Sequence, residues 1–552
     1  MRQIGWILLA ASWLVGEHFG PWLSFHSEFL AFAGLGGVIG WHLLSIRQSL
    51  KVPTVSVGIF LLAAIPYAQW SFGLNAFLGD AVLSSMYLVG LALAVMLGFS
   101  IHSKGEGVGG TRLLMFLGLV PALLSAGIAW FQWFSVEDSL GGFILNGESG
   151  LAVGNLGQPN QLASLLLMGL IAYFYCYQQK YIEKLSFGMG VAFLSVALVM
   201  TQSRAGLVSS IVVAVFLIWK CRTAGLRLKA VFILPWLASL FALTQVLPGL
   251  SNSLFLTDGA VAQSLTNNNG RFDMWRQMMN AIWQAPWTGY GWNQTFTAQT
   301  VGAVAHPGQA TYIYAHNVLL DLLAWNGLPL GLLIVAGAAI WVLTRMAKAR
   351  SVDGVFAMAA LLPIVVHSLL EFPFAYAYFL FMAGLLMGSV DASIAGNKTY
   401  SVHKIFLILP FAVYCVLGVW VLKEYIQVEE DFRIVRFENL RIGHTPASYS
   451  IPDIKLMSHL GSMLKAARLS PQPNMRPEQL TLLRTVVFRF PYAALWNKYA
   501  VALALNGDTL GAERQIALTR VVFGEKYYQA SKAAFQELAQ EKFPQLASMT
   551  FP

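Results

Sequence analysis

Charge and cysteine are both scarce in this chain, and each shortage removes a class of function. Only 11% of the 552 residues are Asp, Glu, Lys or Arg, against 57% hydrophobic. The mean hydropathy of +0.61 lies outside the range of water-soluble domains. The three cysteines, Cys176, Cys221 and Cys415, fall in or beside apolar runs at no metal-ligand spacing, which argues against a disulfide framework and a zinc site. Acidic residues form no cluster suited to a divalent cation, so neither a metal nor a cofactor is expected. No A-x-A-like cleavage site follows the first apolar run, Ile4 to Val15, which therefore reads as a membrane span and not as a secretory signal.

What the chain does have is apolar runs long enough to cross about 30 Å of hydrocarbon. Thirteen are expected, at 4–22, 29–46, 54–70, 81–101, 113–134, 159–178, 185–202, 205–219, 230–247, 328–344, 354–371, 374–390 and 403–422. The fold class is thus an all-α polytopic membrane protein. With the N-terminus inside, the short inner loops carry sixteen Lys and Arg, from Arg2 to Lys404, whereas the outer loops carry only Arg204, Arg271 and Arg276. That bias fixes the orientation. It also accounts for the net charge of +9, which reports inner loops and anionic lipid and gives no argument for nucleic acid.

Two stretches lie outside the run of spans. Residues 424–552 hold fifteen of the 35 Lys and Arg, and are expected to form an external helical domain distinct from a transmembrane domain over 1–423. Within it, "ALWNKYAVALALNGDTLGAERQIAL" predicts a helix, a turn at Gly507 and a second helix from about Thr509, in the manner of one tetratricopeptide-like (TPR-like) unit or of an unrelated helical hairpin. The other stretch is the loop 248–327. Near its end the run from Ala315 to Asn326, with leucines on one face and His316, Asn317 and Asp321 on another, predicts a short helix lying at the membrane surface.

The polar segments that invite a chemical reading fall on one side of the membrane in this topology. They are "GNLGQPNQLA", "TQSRAG", "NGRFDMW", "AHNVLLD" and "HSLLEFPFAYAYF". Each has a plain alternative. Pro159 and Asn160 suit a helix start, Arg204 can reach toward headgroups, Arg271 and Arg276 can lie on a solvated helix face, and His316 can cap a helix. Glu371, set between apolar residues, needs a partner. Taken together, arginines at the outer leaflet suit a phosphate-bearing headgroup, because guanidinium forks match phosphate oxygens. A histidine nearby suits removal of a proton from an attacking hydroxyl. The chemistry this describes is glycosyl transfer from a lipid-linked pyrophosphate.

"MTQSRAG", "NGRFDMWRQ…PWTGYGWN" and "YAHNVLLDLLAWNGLPLGLL", in this order, resemble the core of the O-antigen ligase and polymerase superfamily. "GNLGQPNQLAS", "LLEFPFAYAYF" and the helical tail resemble more narrowly the bacterial protein O-oligosaccharyltransferases of the PglL type. The resemblance implies a GT-C-like, metal-independent enzyme of the bacterial inner membrane. It would move glycan from an undecaprenyl-pyrophosphate-linked donor to hydroxyls of periplasmic proteins such as pilins. By motif position it implies that Arg204 and Arg271 bind pyrophosphate and that His316 is essential. Gln158, Asn160 and Gln161 fall in its glutamine/asparagine motif, and Tyr376 or Tyr378 in its tyrosine motif. Arg276, Asn317 and Glu371 complete the expected substrate-binding set. Rival readings are an O-antigen ligase acting on lipid A core, a Wzy-type polymerase and a transporter of anionic lipid-linked substrates.

Overall fold

The computed structural model describes residues 2–46, 48–103, 107–147, 151–253 and 270–551, so the start of the "NGRFDMW" motif at Asn269 and residues 254–269 of the expected outer loop lie outside the described residues. Among those residues the chain is helical almost throughout. Nine helices are long and apolar enough to cross a membrane, and three apolar helices of 17 residues, Lys184–Met200, Val352–Ser368 and Ala377–Ser393, coincide with three more of the expected spans.

The expected first span, 4–22, needs correction. Its helix is Arg2–Ala11, ten residues or about 15 Å, which is half of a hydrocarbon core. Gly16, Gly20 and Pro21 do not continue it. The irregular stretch beyond is held by protein instead: the Leu14 carbonyl accepts from Asn155 Nδ2 at 2.8 Å, and the His18 ring pairs with the Asn155 carbonyl at 3.0 Å. Non-helical backbone at this depth is tolerable when buried in protein. The short helix packs tightly along Phe25–Ser45, where a Cβ on Gly34 would come within 2.7 Å of the Gly5 carbonyl oxygen.

A second departure from the all-α expectation is a two-stranded antiparallel ribbon, Ser49–Pro53 with Thr399–His403, in register Lys51 with Ser401. Both strands are loops between spans, too short for periodicity to reveal. The last apolar run also does more than predicted. The helix Ile405–Leu440 continues through Lys423 to a length of about 54 Å, past the change from apolar to charged composition.

The fold divides into two compact units. The first comprises residues 1–63, 86–267 and 338–419, and the second 64–85, 268–337 and 420–552. In the first, Pro159–Gln178 is the central helix. Its 18-residue apolar window is 83% buried, against 28% for Ala230–Ser253, so one is wrapped by protein and the other presents its side chains outward. Leu162, Leu166, Leu170, Phe216, Phe356 and Phe381 form the core around it. In the second, Ala493–Leu505 and Thr509–Phe523 form the predicted helical hairpin. Gly507 turns it at φ 88°, and Asp508 caps the second helix by accepting from Gly511 N.

Candidate functional site

In the first unit the residues of three predicted motifs come together. Pro159 occupies the first turn of its helix and Gln158 the N-cap, at φ −145°, with its carbonyl accepting from Leu162 N. Asn160 then bridges two other segments. Its Nδ2 donates to Glu371 Oε1 at 3.1 Å, and its Oδ1 accepts from Ser203 Oγ at 2.6 Å. Ser203 is itself the N-cap of Arg204–Thr223, accepting from Gly206 N, so Arg204 is the first residue of that helix and is exposed. A cation there faces the positive end of the helix dipole, which favours anions. Its position is thus poor for helix stability and good for an anionic ligand.

The next residue, buried Gln161, accepts from Tyr378 Oη at 2.9 Å, and the Tyr376 ring lies tilted beside Tyr378 with centroids 5.5 Å apart. The backbone N–H of Ala377, between the two tyrosines, donates to Glu28. Glu28 is a residue that sequence reasoning missed. It is 2% exposed and also accepts from Trp22, Ser24 and Tyr87, which ties two helices, Phe25–Ser45 and Leu78–Ser103, to the tyrosine motif. A carboxylate bordering the expected span 29–46 was the available signal.

The second unit carries Arg271, Arg276, His316 and Asn317. Arg271 is the first residue of Arg271–Gln284, following Gly270 in left-handed conformation, so it too is a cation at a helix N-terminus. The hydroxyl of Tyr312 lies 2.9 Å from where a Cβ on Gly270 would stand, and the Tyr312 ring meets the His316 imidazole edge to face at 5.7 Å. Burial raises the Tyr312 hydroxyl pKa and Asp273 raises it further, while the Arg271 charge opposes both. Arg271 and His316 thus flank the same tyrosine.

The surface helix predicted from Ala315 begins at Val318. Asn317 caps it, its Oδ1 accepting from Leu319 N at 2.9 Å, and Gly327, at φ 71°, breaks it from the apolar helix that follows. His316 precedes the helix, at φ 50°. Arg276 projects to solvent and pairs with Asp273 at 3.8 Å. Beside it an open groove of about 400 Å³ is lined by Phe272, Trp275, Met279, Trp283, Asn280 and His306, rings and polar groups of the kind that stack on and hydrogen-bond to sugars.

Three family models match the chain. A protein glycosylation ligase model covers residues 152–175, an O-antigen ligase model 189–335, and the C-terminal model of a virulence-factor membrane-bound polymerase 355–538. Across 525 residues the chain is 29% identical to the general O-oligosaccharyltransferase of Acinetobacter baylyi, covering 93% of this chain and 90% of that protein. It is 26% identical over 519 residues to the ComP-specific O-oligosaccharyltransferase of the same organism, covering 91% of each. These matches make the chain similar to the O-antigen ligases and, along nearly its whole length, to O-oligosaccharyltransferases. The chain is a membrane glycosyltransferase of the O-oligosaccharyltransferase kind. The ligase match spans Arg204, Arg271 and His316, and the glycosylation match spans Gln158, Asn160 and Gln161.

Proposed function

We propose that the chain transfers an oligosaccharide en bloc from an undecaprenyl-pyrophosphate-linked donor to Ser or Thr hydroxyls of periplasmic proteins such as pilins, from the outer face of the inner membrane and without a metal. The observation that carries this reading is that Arg204 and Arg271 are each the first residue of a helix, where the backbone N–H groups and that residue's own guanidinium both favour an anion. In the transfer, His316 takes the proton of the acceptor hydroxyl and the acceptor oxygen bonds to the anomeric carbon. The bond from that carbon to the phosphate oxygen breaks, and the two arginines neutralise the departing pyrophosphate. Gln158, Asn160, Gln161, Asn317, Glu371, Tyr376, Tyr378 and Arg276 contact donor or glycan. The membrane part is GT-C-like with thirteen crossings, the first only partly helical. The domain 424–552 is periplasmic and TPR-like, and offers the acceptor its docking surface.

Purified protein in detergent, supplied with lipid-linked glycan and a pilin-type acceptor, tests the reading. Glycan should appear on the protein acceptor, and EDTA should leave the rate unchanged. Transfer only to lipid A core would support the ligase alternative, movement of donor across vesicles without transfer the transporter. Loss in EDTA with rescue by magnesium or manganese would overturn the metal-free mechanism.

A further inference from the structure

His316 is held in an unusual way. Its φ of 50° is uncommon for a residue with a side chain and persists only where surroundings enforce it. The residue before it, Ala315, is fully buried, and both of its backbone polar groups are taken by side chains instead of by other backbone. Its N–H donates to both carboxylate oxygens of Asp321, at 3.0 and 3.2 Å. Its carbonyl accepts from the indole Nε1 of Trp275 at 3.0 Å. Asp321 is fixed in turn by Thr295 Oγ1 at 2.7 Å, which accepts from Trp325 Nε1 at 2.8 Å. Asp321, Thr295 and Ala315 are all at 0% exposure. A buried carboxylate is a costly way to satisfy one loop amide, since an apolar contact would pack the same space more cheaply.

We propose that Asp321 and Trp275 are positioning residues that clamp Ala315 from both sides and thereby aim the His316 imidazole at the reacting hydroxyl. The inference rests on the general-base role proposed for His316. Asp321 is buried away from any substrate, and Trp275 acts here through its indole N–H and not through the ring that lines the groove. They act by removing the freedom of the peptide that precedes the base, and a displacement of about 1 Å at a reacting group costs about 10²-fold in rate. The same helix that begins with Arg271 supplies Trp275, so this clamp also sets the histidine relative to that arginine.

The test uses the full-length protein in detergent with lipid-linked glycan. Trp275→Phe keeps the ring and deletes only the N–H donor, and Asp321→Asn keeps the volume and one acceptor. Each should lower kcat about tenfold or more with donor KM within about twofold. On a His316→Ala background neither should lower the residual rate further, because the group they aim is gone. Two wild-type rates would overturn the clamp, and so would equal fractional losses on both backgrounds, which mark a general structural defect. A His316→Ala variant that transfers at the wild-type rate is a different failure, that of the base reading itself. Should Asp321→Asn not fold, Trp275→Phe alone decides the matter by the same comparison.

Discussion

The two groups that carry Arg204 and Arg271 begin helices alike but are built by opposite means. Around Arg204 the site side chains bond one another: Asn160 joins Ser203 to Glu371, and Gln161 meets Tyr378. Around Arg271 and His316 a set of bonds grips the backbone instead: Asp321 and Trp275 hold Ala315, and buried Gln299 accepts from Tyr312 N at 2.9 Å. The first arrangement is a preassembled polar network, in which losing one member disturbs the rest. The second is a stiff frame carrying groups that can be changed singly. Substitutions in the second group should therefore separate chemistry from folding, and substitutions in the first should mix them.

The largest effect is expected at His316. His316→Ala should lower kcat by about 10²- to 10⁴-fold while donor binding and Tm stay near wild type, because the bonds that hold Ala315 and the Tyr312 backbone do not run through the imidazole. Donor binding, thermal melting and transfer measured on one preparation check this. Near-wild-type transfer would remove His316 from the chemistry, and a fall in Tm in step with activity would make it a structural residue and undo the contrast. Next comes Arg204→Lys, expected to lose more than tenfold because an ammonium cannot make a two-point contact to phosphate. Its neighbour Ser203 belongs to the cap network, so Asn160→Ala should lose activity and also stability, by about 1 kcal/mol or more for the stranded partners. An Asn160→Ala protein that melts as wild type would show that the network is dispensable to the fold.

The spans, the order of the motifs and the helical hairpin at Gly507 were legible because apolar length, turn residues and local motif chemistry are written in consecutive residues. The hairpin's second helix starts at Thr509, where the sequence predicts it. What was not legible depends on partners far apart in the chain. Asp80 is bound at both oxygens by Arg489, at 2.8 Å each. Glu424 gathers the backbone N–H groups of Lys455, Leu456 and Met457. Asp321 reads in the sequence as a polar position on an amphipathic helix, and nothing local shows that it is a buried anchor. The first span was misjudged for the converse reason. Its apolar residues suggested a full crossing, while Asn155, more than 130 residues away, replaces helix bonds past Leu14.

An effect on stability alone, with no part in the chemistry, is expected in the second unit from acid. His459 is buried with its ring stacked on Phe490 at 6.4 Å, and burial pushes its pKa down from 6.5 to about 4, with Asp80 opposing and Arg489 adding to the shift. The folded state thus prefers the neutral ring. Between pH 6.5 and 4 the unfolded chain binds the extra proton, so stability is complete above 6.5 and falls as the pH drops through that window, by about 2 kcal/mol at pH 5. Melting curves from pH 7.5 to 5 should show the fall, and His459→Gln should flatten it. A wild-type Tm independent of pH across the window would refute the assignment.

The smallest effect belongs to Arg276, and it sharpens the contrast among the three outer arginines. Unlike Arg204 and Arg271 it lies within a helix, not at its start, so no cluster of unpaired backbone N–H groups assists it. Its side chain is 72% exposed and its pair with Asp273 is of the solvated kind, so removing it should change stability by less than about 0.5 kcal/mol. It does border the groove of Phe272, Trp275, Met279, Trp283 and His306. A contact to the glycan there, away from the phosphates, is made equally in ground and transition states. Such uniform binding affects KM and leaves kcat alone. Arg276→Ala should accordingly raise donor KM a few-fold at unchanged kcat and Tm. A fall in kcat comparable to that of Arg271→Ala would make it a third phosphate ligand, and an unchanged KM would leave it a solvated helix face with no part in the reaction.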